Sequence, residues 1–94
     1  KMYEKIKDIA HEIVDEMPNL ETAKDLAEFS EKLFKKRKVK KLIHLIGHGI
    51  GLDIHEKPLL SKASLDKLEG TTLAIEPGYY SKIYGVRFEL DIYV

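Results

Sequence analysis

The first half of the chain repeats its apolar residues with the period of an α-helix. In the opening segment they are spaced three and four positions apart: Met2, Ile6, Ile9, Ala10, Ile13, Val14 and Met17. This spacing predicts an amphipathic helix over about residues 2–17, which Pro18 and Asn19 end. Thr22 and Asp25 have the spacing of a capping box, with Asp in place of the more usual Glu. They predict a second helix over about residues 22–37, whose buried stripe is Ala23, Leu26, Ala27, Leu33 and Phe34.

After residue 40 the pattern changes to that of short strands. We predict four of them, at about residues 41–46, 51–55, 71–76 and 84–94. Glycines punctuate residues 47–51, which predicts a turn, and residues 57–70 are expected to form a loop with a helical turn. The last segment is the clearest, because apolar and polar residues alternate through it without interruption. Two helices followed by strands predict an α+β fold with the helices on one face of an antiparallel sheet.

Composition narrows the class of protein. The 94 residues fit one domain, and 44% apolar with 34% charged residues is typical of a soluble globular chain. No signal peptide or apolar run of membrane-spanning length is visible, so a cytoplasmic location without membrane contact is expected. The chain has no cysteine, which excludes disulfides and thiolate metal sites. It begins with Lys1 and ends at Val94 inside an alternating segment, which we interpret as a piece of a longer protein.

Charge argues against nucleic acid as a partner. Sixteen basic and sixteen acidic residues cancel, whereas nucleic-acid binders are usually basic. The run of cations at residues 35–41 has two interpretations, a phosphate-binding patch or a solvated helix end whose cations complement the helix dipole. We favour the helix end, because no aromatic residue is interleaved for base stacking.

Three places along the chain concentrate residues that bind metals or move protons. They are the histidine series His44, His48 and His55, then Glu76 at a strand end, then the polar face Arg87, Glu89 and Asp91. Taken singly, each has an ordinary structural explanation, such as a hydrogen-bonded histidine or the wet side of a sheet. Taken together, an imidazole and two carboxylates on adjoining strands suit a divalent ion such as Mn, Co, Fe or Zn. No dinucleotide loop, Walker lysine, His-Glu-x-x-His helix or serine nucleophile elbow is present.

Three motifs, in order, resemble those of the pita-bread metallopeptidases. They are IGHGIGLDIHEKP at 46–58, EGTTLAIEPGYY at 69–80 and YGVRFELD at 84–91. The family includes methionine aminopeptidase, Xaa-Pro aminopeptidase, prolidase and creatinase. The amino-acid sequences of the first and third motifs are similar to those of the prolidase and Xaa-Pro aminopeptidase branch. The resemblance covers the whole chain and implies the C-terminal half of a pita-bread catalytic domain.

The resemblance also implies roles for individual residues. His48, Glu76 and Glu89 would be metal ligands, with Glu76 also the acid/base and Glu89 the bridge between two ions. His44 and His55 would contact the substrate, and Arg87 would orient the carboxylates. The implied reaction is hydrolysis of an N-terminal Xaa-Pro bond of a peptide or dipeptide through a hydroxide that bridges two divalent ions. Mn or Co is the expected pair, with Zn or Fe as alternatives.

The chain departs from the family in one large respect. The family completes its site with two aspartates, about eleven residues apart, ahead of the two helices, and no such pair is present. The chain alone is therefore expected to be inactive and to need an N-terminal half as partner. Two alternatives stay open. One is a non-catalytic binding module on the same fold. The other is a second copy of the chain that supplies the facing half-site.

Overall fold

The computed structural model describes residues 1–40, 44–50 and 56–94. Helix α1 spans Met2–Glu16 and ends in a short 3-10 turn at Met17–Asn19, and helix α2 spans Ala23–Lys36. The start of α2 is fixed by the predicted capping box. The Thr22 hydroxyl accepts from the Asp25 N–H at 3.2 Å, and the Asp25 carboxylate accepts from the Thr22 N–H at 3.2 Å. No helix in these three ranges is both long and apolar enough to cross a membrane.

Six strands follow the helices: β1 Gly47–Gly49, β2 Glu56–Leu59, β3 Thr72–Ile75, β4 Gly78–Tyr80, β5 Gly85–Arg87 and β6 Leu90–Tyr93. Four of them form an antiparallel sheet in the order β2-β1-β3-β6, and β4 pairs with β5 in a separate hairpin. Two helices followed by an antiparallel sheet is the architecture that the sequence predicted.

The core lies between the helices and one face of the four-stranded sheet. The helices contribute most of the apolar stripes that the sequence predicted, with Met2 and Val14 only partly buried, and the sheet contributes the buried Leu73 and Ile75. Because side chains alternate along a strand, Ala74 lies on the other face, away from the helices. Phe88 joins the core from the β5–β6 connection, with its ring 6.0 Å from the Tyr3 ring and 5.7 Å from the His11 ring of α1.

The structure corrects the sequence interpretation at Gly47–Gly49. We expected a turn there, but these residues form β1, an inner strand paired with β2 on one side and β3 on the other. The glycine at 47 permits this position, because an added Cβ would lie 2.0 Å from the Ala74 carbonyl oxygen. The strand predicted over 41–46 is wrong for residues 44–46, because β1 begins at Gly47 and only the Ile46 carbonyl, which accepts from the Glu76 N–H, extends its pairing with β3.

Two further expectations differ from the structure. Residues 57–70 were expected to be loop, yet residues 57–59 belong to β2, which pairs with β1. The single strand expected over 84–94 is two strands in different sheets. β5 pairs with β4 and β6 pairs with β3. The Phe88 N–H still donates to the Pro77 carbonyl at 3.1 Å, so the interruption falls between Phe88 and Leu90. Residues 41–43 and the predicted strand 51–55 lie outside the described residues.

Candidate metal centre

His48, in the middle of β1, and Glu76, directly after β3, form a close pair. The Nε2 atom of His48 lies 3.8 Å from Oε1 of Glu76, and the two side chains are only 11% and 18% exposed. A separation of 3.8 Å is too long for a hydrogen bond. The pair is therefore a largely buried imidazole and carboxylate that face each other without a direct hydrogen bond.

The register of the sheet explains why these two residues meet. His48 of β1 is directly opposite Ala74 of β3, and directly opposed residues project from the same face. Glu76 is two positions beyond Ala74, so the alternation along the strand turns it to that face as well. Its backbone is held there, because the Glu76 N–H donates to the Ile46 carbonyl at 2.7 Å. The following residue, Pro77, is fully buried.

The hydrogen bond at the other ring nitrogen sets the chemical form of His48. Nδ1 lies 2.9 Å from the Gly49 carbonyl oxygen, which can only accept, so Nδ1 carries the proton. In the neutral ring Nε2 then has the lone pair, and this is the atom that faces Glu76. A carbonyl that holds the second nitrogen of a histidine is the usual support for a metal ligand.

The spacing of the two donors fits one shared cation. Imidazole nitrogen and carboxylate oxygen bind borderline divalent ions at about 2.0–2.2 Å, so two ligand atoms of one ion are at most about 4.4 Å apart. The separation of 3.8 Å satisfies that limit. Two donors alone do not complete a site, and within residues 1–40, 44–50 and 56–94 no group of three or more potential ligands is clustered to hold an ion.

The expected third ligand, Glu89, lies next to this pair along the sheet. Ile75 of β3 is opposite Leu90 of β6. In this antiparallel register the next pair of residues is Glu76 with Glu89. Asp91 is opposite Ala74, across β3 from His48. The side chains of Glu89 and Asp91 are exposed. The sheet thus lines up one imidazole and three carboxylates along one face, of which His48 and Glu76 are 3.8 Å apart.

His44 belongs to a second cluster beside the first. Its Nδ1 lies 2.7 Å from the Leu45 carbonyl oxygen and its Nε2 lies 2.8 Å from the Tyr80 hydroxyl. Tyr80 was not singled out from the sequence, although it ends the motif that carries Glu76. The signal that could have found it is its position, four residues after Glu76 as His44 is four before His48.

The remaining predicted site residues are less informative. Arg87 ends β5 opposite Gly78 and is exposed, and no ion pair to it is seen in the part of the chain that the structure describes. His55 falls outside the described residues.

The basic run at the end of α2 has a structural role at its centre. Lys35 and Lys36 lie in the last turn of the helix, as the helix-end interpretation requires. Arg37 turns back onto α1, where its Nε donates to the Glu12 carboxylate at 2.8 Å and Asp8 is 3.6 Å from its guanidinium.

With this fold and this pair in view, the comparison with known proteins defines the class. The chain matches Metallopeptidase family M24 over residues 1–94, and it belongs to that family. M24 proteins are in general dependent on divalent metal ions.

The chain is similar to an Xaa-Pro dipeptidase, to an uncharacterized peptidase and to a solved prolidase. The chain is 42% identical to the Xaa-Pro dipeptidase of Pyrococcus furiosus over 71 residues, which is 72% of this chain and 20% of that protein. It is 47% identical over 58 residues to an uncharacterized peptidase of Methanocaldococcus jannaschii, covering 55% of this chain and 16% of that one. The solved prolidase of Pyrococcus horikoshii superposes with a TM-score of 0.84 at 32% identity, over 99% of this chain and 28% of that structure. The chain therefore has the pita-bread fold of those structures in part, and it spans less than a third of the length of each.

Proposed function

We propose that this chain is the metal-binding part of a peptidase that hydrolyses the N-terminal Xaa-Pro bond of peptides or dipeptides. The observation that carries the proposal is the His48–Glu76 pair, two metal-type donors 3.8 Å apart in a half-enclosed site. Similarity to an Xaa-Pro dipeptidase over 72% of the chain supports the substrate class.

The residues of this chain fit part of a divalent-ion site. His48 would offer Nε2, because its Nδ1 proton is engaged by the Gly49 carbonyl. Glu76 and Glu89 would offer carboxylate oxygens, and Asp or Glu oxygen with imidazole nitrogen is a donor set that Mn and Co accept, as do Zn and Fe. A bound divalent ion supplies Lewis acidity that polarises the scissile carbonyl.

Glu76 is the proposed acid/base. As a carboxylate beside the pair it can accept a proton from the attacking water and later return it to the departing proline nitrogen. Its backbone bond to Ile46 and the buried Pro77 after it hold the carboxylate at a fixed place, which proton transfer over hydrogen-bond distance requires. His44 and His55 are the proposed substrate contacts, and Arg87 the group that orients the carboxylates.

The whole site is proposed to take donors from outside these 94 residues. The relatives are several times longer than the chain. The face of the sheet that carries His48 also exposes two large apolar side chains, Leu59 opposite His48 and Tyr93 opposite Thr72. An exposed apolar surface of this kind is typical of a contact with another segment or chain. The expected partner is an N-terminal half or, as the alternative, a second copy of the chain.

The test combines metal binding with hydrolysis. We would titrate Mn and Co into the chain by calorimetry and assay Xaa-Pro dipeptides, comparing the unaltered chain with Glu76→Gln and with Glu69→Gln. Glu69 is an exposed carboxylate of the same motif, so it controls for the loss of one charge. We expect Glu76→Gln to weaken metal binding by at least about tenfold, Glu69→Gln to leave it unchanged, and the chain alone to show no hydrolysis.

Two results would revise the proposal. Equal metal affinity in the unaltered chain and Glu76→Gln would refute the assignment of Glu76 as a ligand. Hydrolysis by the chain alone, abolished in Glu76→Gln, would mean that a second copy completes the site, and light scattering with metal present would then show a dimer.

A further inference from the structure

The ring of His44 is bonded at both nitrogens by groups of the protein. Nδ1 lies 2.7 Å from the Leu45 carbonyl oxygen, and because a carbonyl can only accept, Nδ1 carries a proton. In the neutral ring Nε2 is then an acceptor, so the Tyr80 hydroxyl, 2.8 Å away, donates to it. The two contacts together select one of the two neutral tautomers.

Tyr80 is itself held by the backbone of the β4–β5 hairpin. A Cβ added at Gly78 would lie 2.7 Å from the Tyr80 hydroxyl oxygen, and one added at Gly85 would lie 2.7 Å from Cδ1 of the same ring. The ring therefore lies directly on two glycines, and any other residue at either place would displace it. In this position the Tyr80 ring contacts the His44 ring edge to face, with centroids 5.5 Å apart and planes at 66°.

The pair adjoins the proposed metal centre. β1 and β3 run antiparallel, with Gly47 opposite Ile75, and the next backbone bond joins Glu76 to Ile46. Beyond that bond the two segments continue to His44 on one side and to Tyr80 on the other. The hydrogen bond between them thus links the two chain segments that carry His48 and Glu76.

We propose that Tyr80 is a positioning residue for His44, which fixes both the ring orientation and the nitrogen that bears the proton. The catalytic importance of this positioning rests on the peptidase function proposed above. There, His44 is a substrate contact, and the Tyr80 bond keeps an acceptor nitrogen, Nε2, on the side of the ring that faces the hydroxyl. Rotation of the ring or exchange of the tautomer would present a donor at that position instead.

The test is spectroscopic and needs neither metal nor activity. Long-range proton–nitrogen correlation spectra of the 15N-labelled chain, at alkaline pH where imidazoles are neutral, report which ring nitrogen carries the proton. His44→Gln identifies the His44 signals by their loss. Tyr80→Phe removes only the hydroxyl, and Tyr79→Phe is the matched control one residue away on the same strand.

We expect His44 of the unaltered chain to be a single tautomer protonated at Nδ1. In Tyr80→Phe the Nε2 resonance should move downfield by several ppm, toward the value of a nitrogen that accepts no hydrogen bond, and in Tyr79→Phe it should stay in place. A His44 spectrum that is the same in Tyr80→Phe as in Tyr79→Phe would overturn the inference. So would a mixture of tautomers in the unaltered chain.

Kinetics separate this inference from the proposed function. In any preparation that hydrolyses an Xaa-Pro dipeptide, Tyr80→Phe should lower kcat about tenfold, with KM changed less than about twofold, because an orienting group acts on the transition state. Unchanged kcat would overturn the role of Tyr80 while leaving the peptidase function standing. Absence of hydrolysis from every preparation would overturn the peptidase function, and the spectra would still decide whether Tyr80 positions His44.

Discussion

A methyl group at Gly47 should destabilise the fold severely, because it would collide with the central strand of the sheet. An ideal Cβ there would lie 2.0 Å from the Ala74 carbonyl oxygen and 2.9 Å from Cδ1 of Leu60. The first distance is roughly 1.5 Å short of an ordinary contact of about 3.5 Å. Ala74 lies between β1 and β6 in the ladder, so its carbonyl cannot retreat without disturbing pairing on both sides.

The expected cost of Gly47→Ala is at least about 3 kcal/mol in the free energy of unfolding. Overpacking of a rigid interior costs about 1–3 kcal/mol, and each ladder bond that is weakened adds about 0.5–1.5 kcal/mol. For a domain whose total stability is about 5–15 kcal/mol, such a loss is a large share. The collision also falls next to His48, so the variant should disturb the His48–Glu76 pair even where it still folds.

Urea unfolding followed by far-ultraviolet circular dichroism measures the loss, and Gly70→Ala is the control. Gly70 has φ +81° with no heavy atom within 4 Å of an added Cβ, so its substitution tests backbone strain without collision. That strain costs about 1–2 kcal/mol. The reasoning would be refuted if Gly47→Ala were no more destabilising than Gly70→Ala while the free energy of unfolding of both variants depended equally on urea concentration.

Two smaller effects follow from the helices. Thr22→Ala removes the acceptor for the Asp25 N–H and should cost about 1 kcal/mol in the same unfolding assay, and a loss below a few tenths would mean that the capping box contributes nothing. Arg37→Met breaks the contact between α2 and Glu12 of α1, in which the two side chains are 30% and 32% exposed, and solvent screening should keep its cost below about 1 kcal/mol. The more exposed pair of Lys62 with Glu31 is its control, and Lys62→Met should change the stability too little to measure.

The helices were predictable because their information is local. Apolar spacing of three and four fixes which side of α1 is buried, and a capping box needs only residues 22 and 25 to mark the start of α2. Both elements would be recognised in isolation. The family resemblance was also recognisable from the sequence, because each of its three motifs is a short contiguous segment.

The strands were predicted less well because their partners are distant in sequence. β1 contains two glycines and one histidine, a composition with no strand preference, and it is a strand because β2 and β3 enclose it. The alternation over 84–94 gives no sign of the break between β5 and β6, because β5 pairs with β4 and β6 with β3. A pattern of period two records which side chains are buried and not which strand they pair with.

The residues of the candidate site were predictable from the sequence, but their arrangement in space was not. The sequence supplies its donors, His48, Glu76 and Glu89, but the approach of His48 to Glu76 follows from the register of β1 on β3, which joins residues 28 positions apart. The His44–Tyr80 bond spans 36 positions and depends on two glycines that leave room for one ring. It follows that substitutions at glycines, which carry no chemistry themselves, should affect this site as strongly as substitutions at its donors. Gly47 sets the approach of the strands that carry the proposed metal pair, and Gly78 sets the place of the tyrosine beside it.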